Sequence, residues 1–238
     1  FLPAIFVLYI APLLFDPATA FWLLAAFYLI GVPLVAAARY LMRRYQLSRT
    51  RWRGIRLWLA GTAGAFAWAS FGWTILQTLS LGWYTPVARM NRAKMMWENT
   101  RFGDQPFEFI DDGEPVAKGL WWPFALGWFA FPLAYIGTIF IVIAIGASLA
   151  GAGALTMPDM QANPMLAVGF GVVLIITMLV LVLFFWAPYN AAAMNRTASL
   201  ISLDGARFKL RAKTFSLFFV SLAGWTITIF SLGLLAPM

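Results

Sequence analysis

The chain has 238 residues, of which 62% are hydrophobic and only 11% are charged, and its formal net charge is +8. This composition leaves too much apolar surface for one water-soluble core, so it indicates a polytopic membrane protein. In such a chain an excess of basic residues is typical of the cytoplasmic face and of contact with anionic lipid headgroups, and we therefore expect no nucleic-acid partner.

Cysteine and histidine are both absent from the sequence. Within these 238 residues there can therefore be no disulfide, no thiolate nucleophile, no zinc–thiolate site and no histidine that acts as general base or metal ligand. The remaining candidates are clustered carboxylates in one polar segment: Glu108, Asp111, Asp112 and Glu114. They lack the ligand spacing of a calcium loop and lie among Gly and Pro residues, where solvation is expected. We expect no catalytic residue, no cofactor and no bound metal.

Six apolar runs are separated by polar segments. In chain order the runs are 2–15, 19–38, 61–84, 120–149, 165–187 and 215–238. The first two, divided by Asp16-Pro17, predict a helical hairpin. The first run is shorter than the roughly 20 residues that a span needs, and the chain begins without Met. We therefore expect a longer protein with further residues at both ends.

The central run, 61–84, decides the predicted topology, because basic segments flank it on both sides. If all six runs cross, seven basic residues fall on one side and ten on the other, which is no clear bias. If 61–84 enters and leaves on one side, all 17 share a face, as the positive-inside rule favours. We predict a re-entrant or broken-helix element that turns near Ser80–Gly82. The alternative is an ordinary tilted span.

A repeat supports this interpretation. Seven residues recur 151 positions later, with Gly54, Arg56, Leu59, Ser80, Leu81, Gly82 and Pro86 matched by Gly205, Arg207, Leu210, Ser231, Leu232, Gly233 and Pro237. The predicted segments are a transmembrane hairpin (1–38), a first repeat (39–118), a second transmembrane hairpin (119–189) and a truncated second repeat (190–238). The predicted fold is an all-α polytopic membrane protein with short cytoplasmic β-hairpins, about four full spans and two repeated re-entrant elements.

Three hairpins are predicted in the polar segments. Asp204-Gly205 suits a tight turn between 199–203 and 206–211, and Arg53-Gly54 suits one between 49–52 and 55–59. The third joins 99–102 to 107–110 through a four-residue turn. The hairpins form either a basic sheet that binds lipid phosphates or a partner, or three solvated caps. The basic candidates, three of them on an interfacial helix over 87–98, are Arg49, Arg51, Arg53, Arg56, Arg89, Arg92, Lys94, Arg207, Lys209 and Arg211.

The apolar runs contain no Asp, Glu, Lys or Arg, which argues against a buried ion-coupling carboxylate. In the central run Ser70, Thr74 and Gln77 fall on one helical stripe, and Ser80 follows them. These four residues are candidates for lining a small-solute path. The stripe is equally consistent with hydrogen bonding between packed helices.

Three sequence stretches, 48–56 (SRTRWRGIR), 78–82 (TLSLG, with Pro86) and 99–104 (NTRFGD), resemble the signatures of the YjgN-like family of bacterial inner-membrane proteins, a domain family of unknown function. The resemblance covers 39–109 well and 195–237 more loosely. It implies a multi-pass protein of the inner membrane with its basic segments in the cytoplasm. It also points to a membrane metallopeptidase as one candidate partner, and it supplies no catalytic residue.

Three functions are compatible with these observations. The first is a non-catalytic accessory or scaffold protein that binds other membrane proteins and anionic lipid. The second is a channel or carrier for a small solute, built on the duplicated re-entrant elements. The third is an enzyme acting on lipid or peptide, whose visible candidates would be Asp111, Asp112 and Glu114. The absence of cysteine and histidine, and of any other convincing catalytic group, favours the first function.

Overall fold

The computed structural model describes residues 16–151 and 164–231. The chain divides into two compact units. The first unit is built from the residues up to Ala117 together with Ser199–Phe208, and the second from those between Lys118 and Ala198 together with those from Lys209 on. The predicted run 2–15, most of the loop between the fourth and fifth runs, and the last seven residues of the sixth run lie outside the described residues. The predicted four-segment division stays a prediction.

The first unit begins with helix α1, Pro17–Arg49. Its N-cap, Asp16, accepts hydrogen bonds from the hydroxyl and the backbone N–H of Thr19, at 2.6 and 3.1 Å, and these bonds hold the pKa of the Asp16 carboxyl below its usual value. The helix extends well past the predicted end at residue 38. Arg43 therefore lies on α1, and its guanidinium carbon is 5.6 Å from the ring centroid of Trp97.

Helix α2, Ala63–Leu79, and helix α3, Thr85–Glu98, form a helical hairpin. The turn lies where the sequence predicts it, since Leu81 and Gly82 have φ values of +51° and +91° and the Gly82 N–H donates to the Gln77 carbonyl at 2.7 Å. At the end of the hairpin opposite this turn, the residues that flank the two helices are hydrogen-bonded: the Ala60 N–H donates to the Asn99 carbonyl at 2.7 Å. The chain therefore leaves and re-enters the rest of the unit at one place.

This closing point requires a glycine. Gly61 has a φ of +80°, and a Cβ there would lie 2.7 Å from Oδ1 of Asn99 and 3.0 Å from the hydroxyl of Tyr40. The hydroxyl of the fully buried Tyr40 donates to the Ala60 carbonyl. Tyr40 thus ties α1 to the base of the α2–α3 hairpin, next to Phe66, whose ring centroid is 5.2 Å from its own.

The three predicted hairpins join into one six-stranded antiparallel sheet, and they are not separate caps. In spatial and chain order the strands are β1 Arg51–Trp52, β2 Ile55–Leu59, β3 Thr100–Phe102, β4 Gln105–Phe109, β5 Ile201–Leu203 and β6 Ala206–Arg207. The four-residue turn predicted for the middle hairpin is wrong. Gly103 adopts a φ of +59°, which allows a two-residue turn with Phe102 opposite Gln105. The predicted strand 206–211 also ends early, at Arg207.

The apolar face of the sheet packs on the helices, and there the core of the unit lies. Leu59, Phe107 and Ile201 are buried on that face, with the Phe107 ring 5.3 Å from that of Trp97 on α3. Because successive side chains of a strand point to opposite faces, the strand neighbours of these three residues lie on the other face of the sheet.

The second unit contains helices α4 Trp121–Gly151, α5 Pro164–Ser199 and α6 Thr214–Phe230. Phe124 is buried against the rings of Trp186 and Tyr189, at 5.7 and 5.5 Å. Asn195 joins α5 to the segment before α6, because its side-chain amide bonds both the carbonyl (3.1 Å) and the N–H (2.7 Å) of Ala212.

Three helices of the described chain are long and apolar enough to cross a membrane: Ala18–Arg49, Trp121–Ser148 and Gly171–Ser199. They correspond to three of the predicted full spans. The structure is therefore that of a mostly helical chain, compatible with a membrane protein, that also carries a six-stranded sheet. The repeat equivalents α2 and α6 have the same length, 17 residues, and in each the matched serine, Ser80 or Ser231, is the C-cap that follows the last helical residue.

Candidate functional site

A cavity of about 1180 Å³ lies in the first unit, between α1 and α2. One wall is formed by a mostly apolar stretch of α1 from Leu23 to Ala36, and Arg39 closes that stretch. The other wall is formed by Phe66, Ser70, Thr74 and Gln77 of α2, and Arg92 reaches it from α3. The cavity therefore has one apolar side and one polar side.

The structure places three of the four candidate solute-path residues in the lining of this cavity, and the solute path itself stays a prediction. Ser70, Thr74 and Gln77 lie on one side of α2, as the helical spacing predicts. Ser80 is not among the lining residues. Its hydroxyl donates to the Gln77 carbonyl at 3.1 Å and accepts from the Tyr84 N–H at 2.9 Å, so it shapes the turn after α2.

Arg92 is the residue whose position sequence reasoning missed. Its Nη2 donates to the hydroxyl of Thr74 at 3.1 Å and to Oε1 of Gln77 at 2.5 Å. Gln77 in turn donates from Nε2 to the hydroxyl of Thr85 at 3.1 Å. The guanidinium is thus held by side chains of α2 and is directed into the hairpin, whereas the sequence assigned Arg92 to an outward basic surface. The glycine turn at Gly82 was the one signal that could have brought α3 back onto α2.

The cavity is positively charged. Arg39 and Arg92 line it, and none of the described residues around it is acidic. The hydroxyl of Ser70, 3% exposed, has no hydrogen-bond partner among the described residues. An arginine held in place and a buried hydroxyl can together bind an anionic or strongly polar group. They include no base that could activate a nucleophile.

A second feature is the sheet surface that faces away from the apolar core. The strand register places Arg51 opposite Arg56, and Trp58 opposite Arg101. The Arg101 guanidinium lies 5.8 Å from the Trp58 ring centroid. Alternation along the strands adds Glu108 and Arg207 to the same side, each opposite Ser202. We refer to the surface formed by Arg51, Arg56, Arg101 and Arg207 as the arginine face.

The other predicted basic residues have different surroundings. The exposed ones among them are Arg49, Arg53, Lys94, Lys209 and Arg211, and Lys209 and Arg211 belong to the second unit. Arg51, Arg56 and Arg207 of the arginine face are exposed as well. Arg89 and Arg92 are half-buried. Lys94 lies 3.8 Å from Glu98, one turn along α3.

The loop carboxylates shape their own backbone. Oδ1 of Asp111 accepts from the Gly113 N–H at 3.0 Å, and Oδ1 of Asp112 accepts from the Glu114 N–H at 3.3 Å. Within residues 16–151 and 164–231 no group of three or more acidic residues is arranged to hold a metal ion.

Comparison with known families gives a match along the whole chain. Residues 1–238 match the family model described as "Bacterial protein of unknown function (DUF898)", which is the family also called YjgN-like. Comparisons with curated proteins and with solved structures give no match. The chain therefore belongs to the YjgN-like (DUF898) family of bacterial proteins of unknown function.

Proposed function

We propose that this protein is a non-catalytic accessory protein of the bacterial inner membrane, and that its arginine face binds anionic lipid headgroups and partner membrane proteins on the cytoplasmic side. The observation that carries the proposal is the strand register, which gathers four arginines and a single glutamate on one side of the sheet. Such a surface complements a phosphate-rich membrane surface or an acidic patch on a partner.

The unfavourable free energy of pairing two arginines across neighbouring strands supports a binding role. Arg51 and Arg56 are directly opposite each other on neighbouring strands, and like charges in that position destabilise a sheet. Both are exposed. An anionic group bound between them would offset the repulsion, and guanidinium groups bind phosphates through two parallel hydrogen bonds.

The orientation follows from the charge distribution. The basic residues that end α1 lead directly into the sheet, and basic residues flanking a span favour the cytoplasm. The α2–α3 hairpin is proposed to enter the bilayer from that same side. Two findings support this: Leu59 pairs with Thr100, so both ends of the hairpin meet in the sheet, and α2, with 17 residues, is shorter than the roughly 20 that a full span needs.

A second candidate function is that of a carrier or channel for a small solute. The cavity between α1 and α2 favours it, because a polar stripe and an arginine converge beside a candidate membrane span. Uptake of a solute into liposomes by the purified protein alone would support this function over the accessory one.

Two matched triple variants test the arginine face. Arg51→Gln, Arg56→Gln and Arg207→Gln together remove three exposed charges from it, while Arg44→Gln, Arg49→Gln and Lys94→Gln remove three exposed charges from α1 and α3. Thermal stabilisation of the delipidated full chain is measured with phosphatidylglycerol and with phosphatidylcholine. We expect the first variant to lose its preference for the anionic lipid and the second to keep it. Equal preference in both variants would refute the role of the face.

Partner binding has its own test. The same two variants are expressed in the native membrane, and the proteins that co-purify with each are identified. Partners that depend on the face should be lost from the first variant and retained by the second. An unchanged set of partners would argue against the scaffold role.

A further inference from the structure

We propose that the cavity between α1 and α2 is a binding site for one anionic phospholipid taken from the bilayer, with its acyl chains along α1 and its phosphate at Arg92. This site is separate from the arginine face and shares no residue with it.

The shape of the cavity suits a long-chain ligand. Along α1 the lining runs from Leu23 to Arg39, which at 1.5 Å per residue is about 24 Å. Its volume, about 1180 Å³, exceeds the range typical of sites for drug-sized molecules. An apolar wall of this length matches acyl chains better than it matches a small polar solute.

The charge of the cavity selects the headgroup. Arg92 and Arg39 are the charged residues among the described lining, which includes no Asp or Glu. The Arg92 guanidinium is oriented in advance by Thr74 and Gln77, so little conformational freedom is lost when an anion binds. Arginine is also the side chain best suited to phosphate oxygens.

The buried hydroxyl of Ser70 is a second and independent indication. It is 3% exposed, lines the cavity and lacks a hydrogen-bond partner among the described residues. A buried hydroxyl without a partner is unfavourable. A phosphate or ester oxygen in the cavity would accept its hydrogen bond, four residues along α2 from Thr74.

The location identifies the source of the ligand. α1 is a candidate membrane span, so its apolar wall lies at the depth of the acyl chains. An arginine brought against such a helix is expensive to place in a bilayer and marks a functional position. A phospholipid that moves into the cavity from the surrounding bilayer would contact the apolar wall of α1 with its acyl chains and Arg92 with its phosphate.

The test uses the full chain, purified and delipidated, with binding of phosphatidylglycerol, phosphatidylcholine and palmitate followed by native mass spectrometry. Arg92→Gln removes the anion contact, and Arg44→Gln removes an exposed charge of α1 outside the cavity. We expect Arg92→Gln to weaken phosphatidylglycerol binding about tenfold or more, as loss of one charge-assisted hydrogen bond predicts. Arg44→Gln should bind as the unmodified protein does.

A second variant keeps the proposal testable if Arg92→Gln does not fold. Gly31 lines the cavity, and a Cβ there meets Phe27 at 3.8 Å, an ordinary contact, so Gly31→Leu adds bulk to the apolar wall where the acyl chains would lie and leaves the Arg92 side chain unchanged. We expect it to retain the helical content and melting temperature of the parent and to lose the bound lipid. Undiminished phosphatidylglycerol binding by Gly31→Leu would overturn the proposal. Equal binding of phosphatidylcholine, or binding of palmitate alone, would do so as well.

Failure of this proposal and failure of the arginine face are distinguishable. Loss of lipid from Gly31→Leu combined with normal binding by the Arg51, Arg56 and Arg207 triple variant would place the lipid in the cavity alone. The reverse pattern would place it on the sheet.

Discussion

Nη2 of Arg92 lies 2.5 Å from Oε1 of Gln77, and this hydrogen bond joins α3 to α2 across the turn at Gly82. The sequence offers two interpretations of the polar stripe on α2, a solute path or a contact between helices. The structure gives the stripe both a cavity to line and a neighbouring helix to bond. Thr74 and Gln77 both line the cavity and hydrogen-bond the neighbouring helix, because Arg92 of α3 reaches the cavity beside them.

Thr74→Val should destabilise the α2–α3 hairpin more than Thr78→Val does. Both hydroxyls donate to the carbonyl four residues earlier, but the Thr74 hydroxyl also accepts from Arg92. Loss of a hydrogen bond to a charged group typically costs about 1.5–3 kcal/mol. The measurement is denaturant unfolding of the purified protein followed by circular dichroism. Equal effects of the two substitutions would show that the Arg92 contact contributes no stability.

Tyr40→Phe should destabilise the first unit by about 1–3 kcal/mol, because the Ala60 carbonyl loses the hydroxyl that bonds it in a buried setting. Tyr45→Phe on the same helix is the control, since Tyr45 is 60% exposed. Thermal melting of the two variants provides the comparison. A Tyr40→Phe protein as stable as the control would mean that α1 is attached to the hairpin by packing alone.

Gly54→Ala should cost about 1–2 kcal/mol through backbone strain alone, because Gly54 has a φ of +82° while no atom lies within 4 Å of the added Cβ. Gly205→Ala should behave in the same way at the equivalent turn, where φ is +76°. Gly72→Ala, inside α2 and also in open space, should instead be neutral or stabilising. The midpoint of thermal unfolding distinguishes these outcomes, and a loss of stability at Gly72 as large as at Gly54 would contradict the turn assignment.

Gly127→Val should disrupt the second unit, because a Cβ at this position lies 3.2 Å from the Phe185 carbonyl oxygen and 3.4 Å from the Trp186 ring. Close approach of helices at small residues is a common way to associate in membranes. Gly137→Val on the same helix meets nothing within 4 Å and serves as the control. Limited proteolysis in detergent should show faster cleavage of the Gly127 variant than of the Gly137 variant.

Cysteine labelling tests the topology without background, because the chain contains no cysteine. Arg53, Asp104 and Asp204 are exposed turn residues of the three hairpins of one sheet. Each is replaced singly by Cys and exposed to an impermeant maleimide in spheroplasts and in inverted vesicles. We expect all three to react in inverted vesicles and none in spheroplasts. Reaction of any two from opposite sides would refute both the shared sheet and the proposed orientation.

Local signals were sufficient for much of the fold. The apolar runs predicted α1, α4 and α5, because a span of hydrocarbon requires a long stretch of apolar residues whatever they pack against. The glycine turns at Gly54 and Gly205 were visible because a positive φ favours one residue type. The end of α2 at Ser80 and the turn that follows were visible for the same reason.

Features that join distant segments were not predictable in this way. The sequence placed Arg92 on a basic surface, because its neighbours in the chain are basic; its true partners, Thr74 and Gln77, are defined by the way α3 folds back. The pairing of β4 with β5 likewise depends on a contact between residues more than 90 positions apart, such as Glu108 opposite Ser202. A long-range pairing of this kind leaves no periodic pattern in either segment.

Composition and periodicity predicted a membrane protein, with which the structure is compatible, and they located its candidate spans, its turns and its polar stripe. These features depend on each residue's affinity for water or on its own backbone. Tertiary structure alone decided that three hairpins form one sheet with an arginine face, and that a polar helix supplies an arginine to an otherwise uncharged stripe. These features depend on contacts between segments that are separate in the chain. The free energy of such a contact depends on residues in both segments, so neither segment predicts it alone.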